Sequence, residues 1–376
     1  MLQDKDYDEL IQPILNIYSK IEMELLLDVA NRFSNYSSIS GSLEWYLDKL
    51  DEMNVLDDRA VAIFAKYSKI SEKQIRKMLS DAQYGNFIKD DIDKAYAKGL
   101  SKITYESLVI NKVFKDTLEL SYKELDREFR LIQTKAIESQ QQAYMDILNK
   151  AYIDVSSGTY AYDVAIKNGI KSMAKKGITG VTYKRKDGIL VNYSIEATVR
   201  RDILTATHQL ANKAIFQSIE LTGNNYVDIS KHIGARVHPT DPIANHAGWQ
   251  GKQYQINGES KEYPNFVKST GYGNILGFGG VNCRHRIFNF FPGISVPISQ
   301  TFSLEENEIY YENTQHLRQL ERQMRALKKQ LNCLDAIKAT EEVKKVKQKI
   351  KLKSSEINAF CKEKGLQRDY SREQVI

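Results

Sequence analysis

The stretches "NHAGWQGKQY" (residues 245–254) and "GGVNCRHRIFNFFPG" (residues 279–293) decide how this chain is read. Each crowds aromatic, glycine and potential metal-binding side chains into a short span without a helical period. They lie in roughly 70 residues rich in Gly, Asn, Pro and His, beginning after Gly223, too many for a structureless loop inside a compact domain. That segment must hold short strands, a function, or both. Glycines 271, 273, 277, 279 and 280 allow backbone approaches that a larger residue would block. Trp249, Tyr254, Tyr263, Phe266, Tyr272 and Phe278 supply broad apolar faces that can bury one loop against another.

N-terminal to this segment the sequence is mostly helical. Leu10, Ile14, Ile17, Ile21, Leu25 and Val29 recur at steps of three and four, which predicts a long helix with one apolar face, ending near the polar cluster "NYSSISGS" with Gly41. Ser71 followed three residues later by Gln74 has the form of a capping box and predicts a helix start. Leu118, Tyr122, Leu125, Phe129 and Ile132 keep helical spacing within a run from about Glu106 to Ile153. Val181 and Tyr183, then Ile189, Val191 and Tyr193, flank Asp187-Gly188 and predict a β-hairpin. Ile195 to Leu221 returns to helix, with Gly223 as its C-cap.

The C-terminal region is helical again. Leu317, Leu320, Met324, Leu327, Leu331 and Leu334 form one heptad seam, and Val343, Val346, Ile350, Ile357 and Phe360 a second. "KATEEV" between them predicts a turn with Thr340 as the cap, giving a helical hairpin; a continuous helix is the competing reading. Residues 316–376 carry 16 Lys and Arg against 8 Asp and Glu, a balance of +8, so the rest of this +6 chain sums to −2. The fold class is therefore α+β, predominantly α-helical: an elongated N-terminal helical bundle over 1–155, a small Gly-rich α+β subdomain with a β-hairpin over 156–300, and a basic C-terminal helical hairpin or coiled coil over 301–376.

Composition narrows the function classes. At 42% hydrophobic and 27% charged residues, 376 residues can bury a sizeable core, so disorder is not expected. No run approaches the roughly 18 apolar residues of a membrane span, and no N-terminal stretch has the pattern of a secretion signal. The chain is expected to stay in solution. Cys283, Cys333 and Cys361 are too few and too scattered for a disulfide framework and fit a reducing cytoplasm.

The residue types of the two opening stretches suit several chemistries. His238, His246, Cys283 and His285 are ligand types that zinc favours, and Cys-x-His is compact enough to serve one ion, but the spacing matches neither a C-x-x-C pair nor H-E-x-x-H. Cys283 paired with His285 or His246 would make a nucleophile in the field of Arg284, His285 and Arg286, although on an extended strand Arg284 points to the opposite face. His238, Asp241, Asn245 and His246 could hold a nuclease metal, yet no acidic cluster accompanies them. A structural clasp is the leading reading, in which His246 hydrogen-bonds across to the loop carrying Asn282 to His285. It assigns no catalytic residue and no cofactor; a zinc ion on His246, Cys283 and His285 is the alternative.

"ARVHPTDPIANHAGWQGKQY" (235–254), "YPNFVKSTGYG" (263–273) and "GVNCRHRIFNFFPGIS" (280–295) together resemble the phage minor capsid protein 2 family. That family's pattern runs A-R-x-x-H-x-x-W-Q-G-x-x-Y, then Y-x-x-F-x-x-x-x-G-Y-G, then N-C-R-H-x-x-x-x-F-x-P-G. The matching motif residues are Arg236, His246, Trp249, Gln250, Gly251, Tyr254, Tyr272, Gly273, Asn282, Cys283, Arg284 and His285, with Ala235, Tyr263, Phe266, Gly271, Pro292 and Gly293 beside them. Two departures stand out. "VHPTDPIAN" lengthens the gap after Arg236, so His238 and His246 compete for the family histidine, and His246 is preferred because Trp249-Gln250-Gly251 follows it. "ILGFGGVNCRH" lacks a cysteine expected near Phe278 and Gly279, which puts a family-wide zinc site in doubt. The resemblance is clear over roughly Ile195 to Ser295, and the chain more distantly resembles the Mu-type phage head morphogenesis proteins.

The resemblance implies a minor structural protein of the head of a tailed phage or prophage, associated with the portal vertex and acting in head assembly or in DNA packaging and delivery. It implies no enzymatic activity; the alternative is a metal-dependent or thiol enzyme, a nuclease or peptidase, delivered with the phage DNA. Expected partners are the portal protein, the major capsid protein and packaged double-stranded DNA, met as a multimer in the virion after assembly in the host cytoplasm. Long N-terminal helices suit docking on a portal or capsid. Lys344, Lys345, Lys347, Lys349, Lys351 and Lys353 are candidate phosphate contacts, with a solvated helix face as the other reading.

Overall fold

The computed structural model describes residues 4–34, 42–84, 87–184, 188–298 and 302–376. In chain order the elements are α1 (Asp4–Arg32), α2 (Ser42–Tyr84), α3 (Lys89–Ala97), α4 (Tyr105–Val109), α5 (Lys112–Ser156), α6 (Tyr162–Lys176), β1 (Thr179–Lys184), β2 (Leu190–Ser194), α7 (Ile195–Thr222), β3 (Tyr226–Ile229), α8 (His246–Trp249), β4 (Gln253–Gln255), α9 (Phe266–Thr270), β5 (Ile287–Asn289), α10 (Leu304–Ala336) and α11 (Thr340–Lys364). The fold is α+β and predominantly helical, with two small antiparallel sheets among the described residues. The chain divides into two compact units, each drawn from three segments: residues 1–13, 73–128 and 200–314 make one, and residues 14–72, 129–199 and 315–376 the other.

In the second unit the apolar stripe of α1 is buried at Ile14, Ile17, Ile21, Leu25 and Val29, as its period predicts. Its helices are tied by polar groups that would otherwise cost desolvation: Gln140 donates to the Leu25 carbonyl at 3.0 Å and Tyr144 to the Lys49 carbonyl at 2.8 Å. Glu22, buried, accepts from the Ile178 backbone N–H and pairs with Lys329 at 2.7 Å. The predicted β-hairpin is present, with Val181 opposite Tyr193 and Tyr183 opposite Val191. Gly188 takes a φ of 84°, while Asp187 and Gly41 lie outside the described residues.

The C-terminal region is a hairpin of α10 and α11. Leu317, Leu320 and Met324 pack on Ile357 and Cys361 at one end, and Leu334 on Val343 and Val346 at the other. Antiparallel packing of the two heptad seams explains why the chain turns instead of continuing as one helix. The turn is made by Lys338 at φ 57°, and the N-cap residue is Ala339, not Thr340 as expected. Two further helix boundaries differ from the sequence expectation. α2 runs through Ser71 without a break, because Ile63, Phe64, Ile75, Met78 and Leu79 continue one buried face across it. The run expected from Glu106 is split, with α4 preceding α5.

The first unit holds both opening stretches. α7 ends at Thr222 before Gly223 at φ 73°, as predicted, and leads directly into β3. β3 is the centre of a three-stranded sheet in the order β4-β3-β5, both neighbours antiparallel to it. Val227 and Ile229 face the core with Tyr254 and Ile287, joining Ile215, Phe266, Phe278 and Phe291. Asp228 faces the other way, opposite Gln253 and Phe288.

Candidate functional site

The sheet topology explains how two stretches some thirty residues apart meet. The first stretch ends in β4 and the second runs into β5, and both strands are antiparallel to β3. Their N-terminal ends therefore lie side by side at the C-terminal end of β3. Two bonds extend the pairing past the strands: Ser230 N–H donates to the Arg286 carbonyl at 2.9 Å, and Ile229 N–H to the Lys252 carbonyl at 3.1 Å. His246, Trp249 and Gln250 are thus brought onto Cys283 and His285, with His232 just beyond β3.

The geometry within this cluster is specific. One ligand atom each of His246, Cys283 and His285 lies within 4.8 Å of the others, and all three side chains are buried. Cys283 Sγ is 3.7 Å from His285 Nδ1, and His285 Nε2 is 3.0 Å from Gln250 Oε1. The same Gln250 oxygen accepts from the His232 backbone N–H at 3.0 Å. His246 Nε2 lies 2.8 Å from the Leu276 carbonyl, and Trp249 Nε1–H donates to the Ile243 carbonyl at 3.1 Å. The Trp249 ring sits 4.6 Å from both the His246 and His285 rings, and the His232 ring 4.4 Å from that of His285. Burial pushes the His246 imidazole down to about 4 and holds His285 and His208 well below the ordinary histidine value. For these three rings burial favours the neutral form.

The other motif residues hold the loops around it. Arg236 donates to the Leu276 and Val281 carbonyls at 3.3 and 2.8 Å, fixing the loop that receives His246. Tyr254 O–H donates to the Trp249 carbonyl at 2.7 Å, and Tyr272 packs 4.9 Å from Phe216 and 5.5 Å from Phe266. Asn282 takes φ 59°, a left-handed conformation that asparagine tolerates, and Gly251 and Gly273 take φ 67° and 94°. A Cβ on Gly277 would run into the Gly271 and Thr270 carbonyl oxygens, and one on Gly280 into that of Ile275. Here backbone packs directly on backbone.

Not every sequence candidate joins the cluster. Arg284 is turned away, 4.0 Å from Asp8. His238 Nδ1 accepts from the Asp241 backbone N–H at 3.0 Å, and Asp241 accepts from Ile243 at 2.9 Å, so both staple their own loop. Of the two histidines, His246 and not His238 lies beside Cys283 and His285. The six lysines lie on α11, where Lys344, Lys345 and Lys353 pair with Glu341, Glu342 and Glu356. Lys347, Lys349 and Lys351 are exposed and make no ion pair among the described residues.

Sequence reasoning missed His208, His232 and Asn212; Arg286, read there only as part of the charge field around Cys283, is buried. Asn212 accepts from the Ile287 backbone N–H at 3.1 Å and so anchors the start of β5 to α7. A signal was present: Thr207, His208 and Asn212 place polar side chains on the buried face of α7. A cleft of about 420 Å³ opens nearby, lined by Gln209, Asn212, Lys213, Tyr272, Phe278 and Val281 among others; His246, Cys283 and His285 do not line it.

Comparison with known proteins matches this chain well beyond the motif region. The family model for phage minor capsid protein 2 matches residues 2–362, which takes in the N-terminal helices and most of the C-terminal hairpin. The chain is 25% identical over 346 residues to a "Structural protein" of Lactococcus phage LL-H, an alignment covering 88% of each. No solved structure matches it.

Proposed function

The chain belongs to the phage minor capsid protein 2 family, and from this membership we propose that it serves in the phage head at the portal vertex, in head assembly or in packaging and delivery of the DNA. The observation that carries the reading is the family match over 2–362 together with a motif centre that is buried. Its recognisable residues hold one another and the surrounding backbone. A catalytic thiol or metal enzyme needs its reacting atoms open to substrate, whereas Cys283 is 4% and His285 1% exposed. The centre suits a scaffold that keeps one shape through assembly.

No helix among the described residues is long and apolar enough to cross a membrane. On this reading the portal protein is the first partner, with contacts to the major capsid protein and to packaged DNA as the chain multiplies around the vertex. Lys347, Lys349 and Lys351 are the groups assigned to phosphate contact, where sequence-independent binding needs only exposed cations. The test is co-expression with the portal protein encoded in the same phage or prophage, followed by size-exclusion chromatography. Co-elution at fixed stoichiometry supports the reading, and separate elution of two folded proteins refutes it.

A further inference from the structure

We infer that His246, Cys283 and His285 form a buried binding site for a single zinc-type divalent cation, held by Cys283 Sγ and the Nδ1 atoms of both histidines. This does not rest on the portal reading and does not require it.

The first observation is spacing. One ligand atom of each residue lies within 4.8 Å of the others, and Sγ is 3.7 Å from His285 Nδ1. A tetrahedral zinc with Zn–S about 2.3 Å and Zn–N about 2.0 Å sets sulfur and nitrogen about 3.5 Å apart. The second observation is the protonation pattern. A carbonyl oxygen only accepts, so His246 Nε2, at 2.8 Å from the Leu276 carbonyl, must carry the hydrogen. The same holds for His285 Nε2 against Gln250 Oε1, whose identity as oxygen is fixed by the His232 backbone N–H that it also accepts. An imidazole that carries its one hydrogen on Nε2 has its lone pair on Nδ1, so Nδ1 is the ligand atom that each ring offers. Donation of the remote N–H to a carbonyl is also how metal-bound histidines are oriented and made more basic.

Hydrogen bonding within the trio does not account for this arrangement. Within the trio the thiol has one proton to offer and the two histidines present two lone pairs, so the thiol serves at most one of them. A cation satisfies both together with the sulfur. Thiolate with imidazole is a donor set that suits zinc among the common biological ions. On binding, the thiol proton is released to solvent, and the thiolate that remains offsets part of the ion's charge beside Arg236 and Arg286. Three protein ligands leave one position of a tetrahedral ion to solvent or a neighbouring donor. The ion would pin α8 to the loop ahead of β5.

The test uses the full chain. Metal content is measured on the purified protein, which is then stripped with a chelator and titrated with Co(II), then Zn(II). One Co(II) per chain is expected, with near-ultraviolet absorption from a cobalt–thiolate bond and strong visible bands of a tetrahedral ion, both displaced by Zn(II). Cys283→Ser should lose the thiolate band, and Cys333→Ser should keep it. Circular dichroism reports whether each variant is folded; if Cys283→Ser is not, the wild-type titration decides alone. A wild-type protein that carries no metal as purified and takes up no stoichiometric Co(II), or binds it without thiolate absorption, overturns the proposal. So does a folded Cys283→Ser, His285→Asn double variant that still holds one metal per chain.

Discussion

Replacing Asp228 by Asn should stabilise the first unit at neutral pH and remove a specific pH dependence. Asp228 sits on the central strand β3, 2% exposed, accepting from Gln253 Nε2 at 2.9 Å and from the Ile298 backbone N–H at 2.6 Å. Burial outweighs these bonds and raises its carboxyl from 3.8 to about 6. At about 1.4 kcal/mol per pH unit, keeping that carboxylate charged in the folded state costs about 3 kcal/mol. The sign follows from proton counts. Between about 4 and 6 the folded protein holds a proton that the unfolded chain has released, so this group's contribution falls as pH rises through that window and is flat above it. Asn is neutral throughout; its oxygen can accept from Ile298, and its amide can donate to Gln253 once that side chain turns over. Asp228→Asn should therefore gain up to about 3 kcal/mol at pH 7.5, shrinking towards zero near pH 4. Urea unfolding measures it best in a Trp45→Phe background, where Trp249, the other of the chain's 2 tryptophans, reports on the unit. Histidine titration is common to both proteins and cancels in the difference. A gain independent of pH, or a loss of stability at pH 7.5, would refute the reasoning.

Three further outcomes are expected. Trp249→Ala should cost about 3–5 kcal/mol in urea unfolding, because the ring fills the space between His246, His285 and Phe278. Trp249→Phe should cost about 1–2 kcal/mol less than that; equal losses would mean that ring packing does not hold the cluster. Gly277→Ala forces a methyl group against two backbone carbonyls and should destabilise by about 1–3 kcal/mol, and an unchanged unfolding midpoint would show that the loop yields freely. Changing Lys347, Lys349 and Lys351 together to Gln should weaken binding to random duplex DNA and lower the slope of log affinity against log salt by up to about 3. An unchanged slope assigns them to a solvated face.

The helical frame is readable from the residues alone, because a buried stripe repeats every turn and can be counted. Ile14 to Val29, the two C-terminal seams and the stop at Gly223 are local signals. So is the hairpin of Val181, Tyr183, Val191 and Tyr193, which needs only alternation around a turn. The motif residues were legible too, through their resemblance to a known family that the match over 2–362 extends across most of the chain. The helix start expected at Ser71 shows where local reading fails, since a capping box has no effect when tertiary packing keeps the flanking apolar face continuous.

The arrangement of the motif residues comes from the folded chain. β3, β4 and β5 are three or four residues long, too short for alternation to reveal, and their partners are distant in sequence. Their antiparallel register on β3 places the two stretches at one end of the sheet. The Leu276 carbonyl and Gln250 then set which nitrogen of His246 and His285 carries its proton, and α7 brings His208 and Asn212 beneath them. Those are long-range contacts between groups whose chemistry depends on their neighbours, so they exist only once the chain has folded.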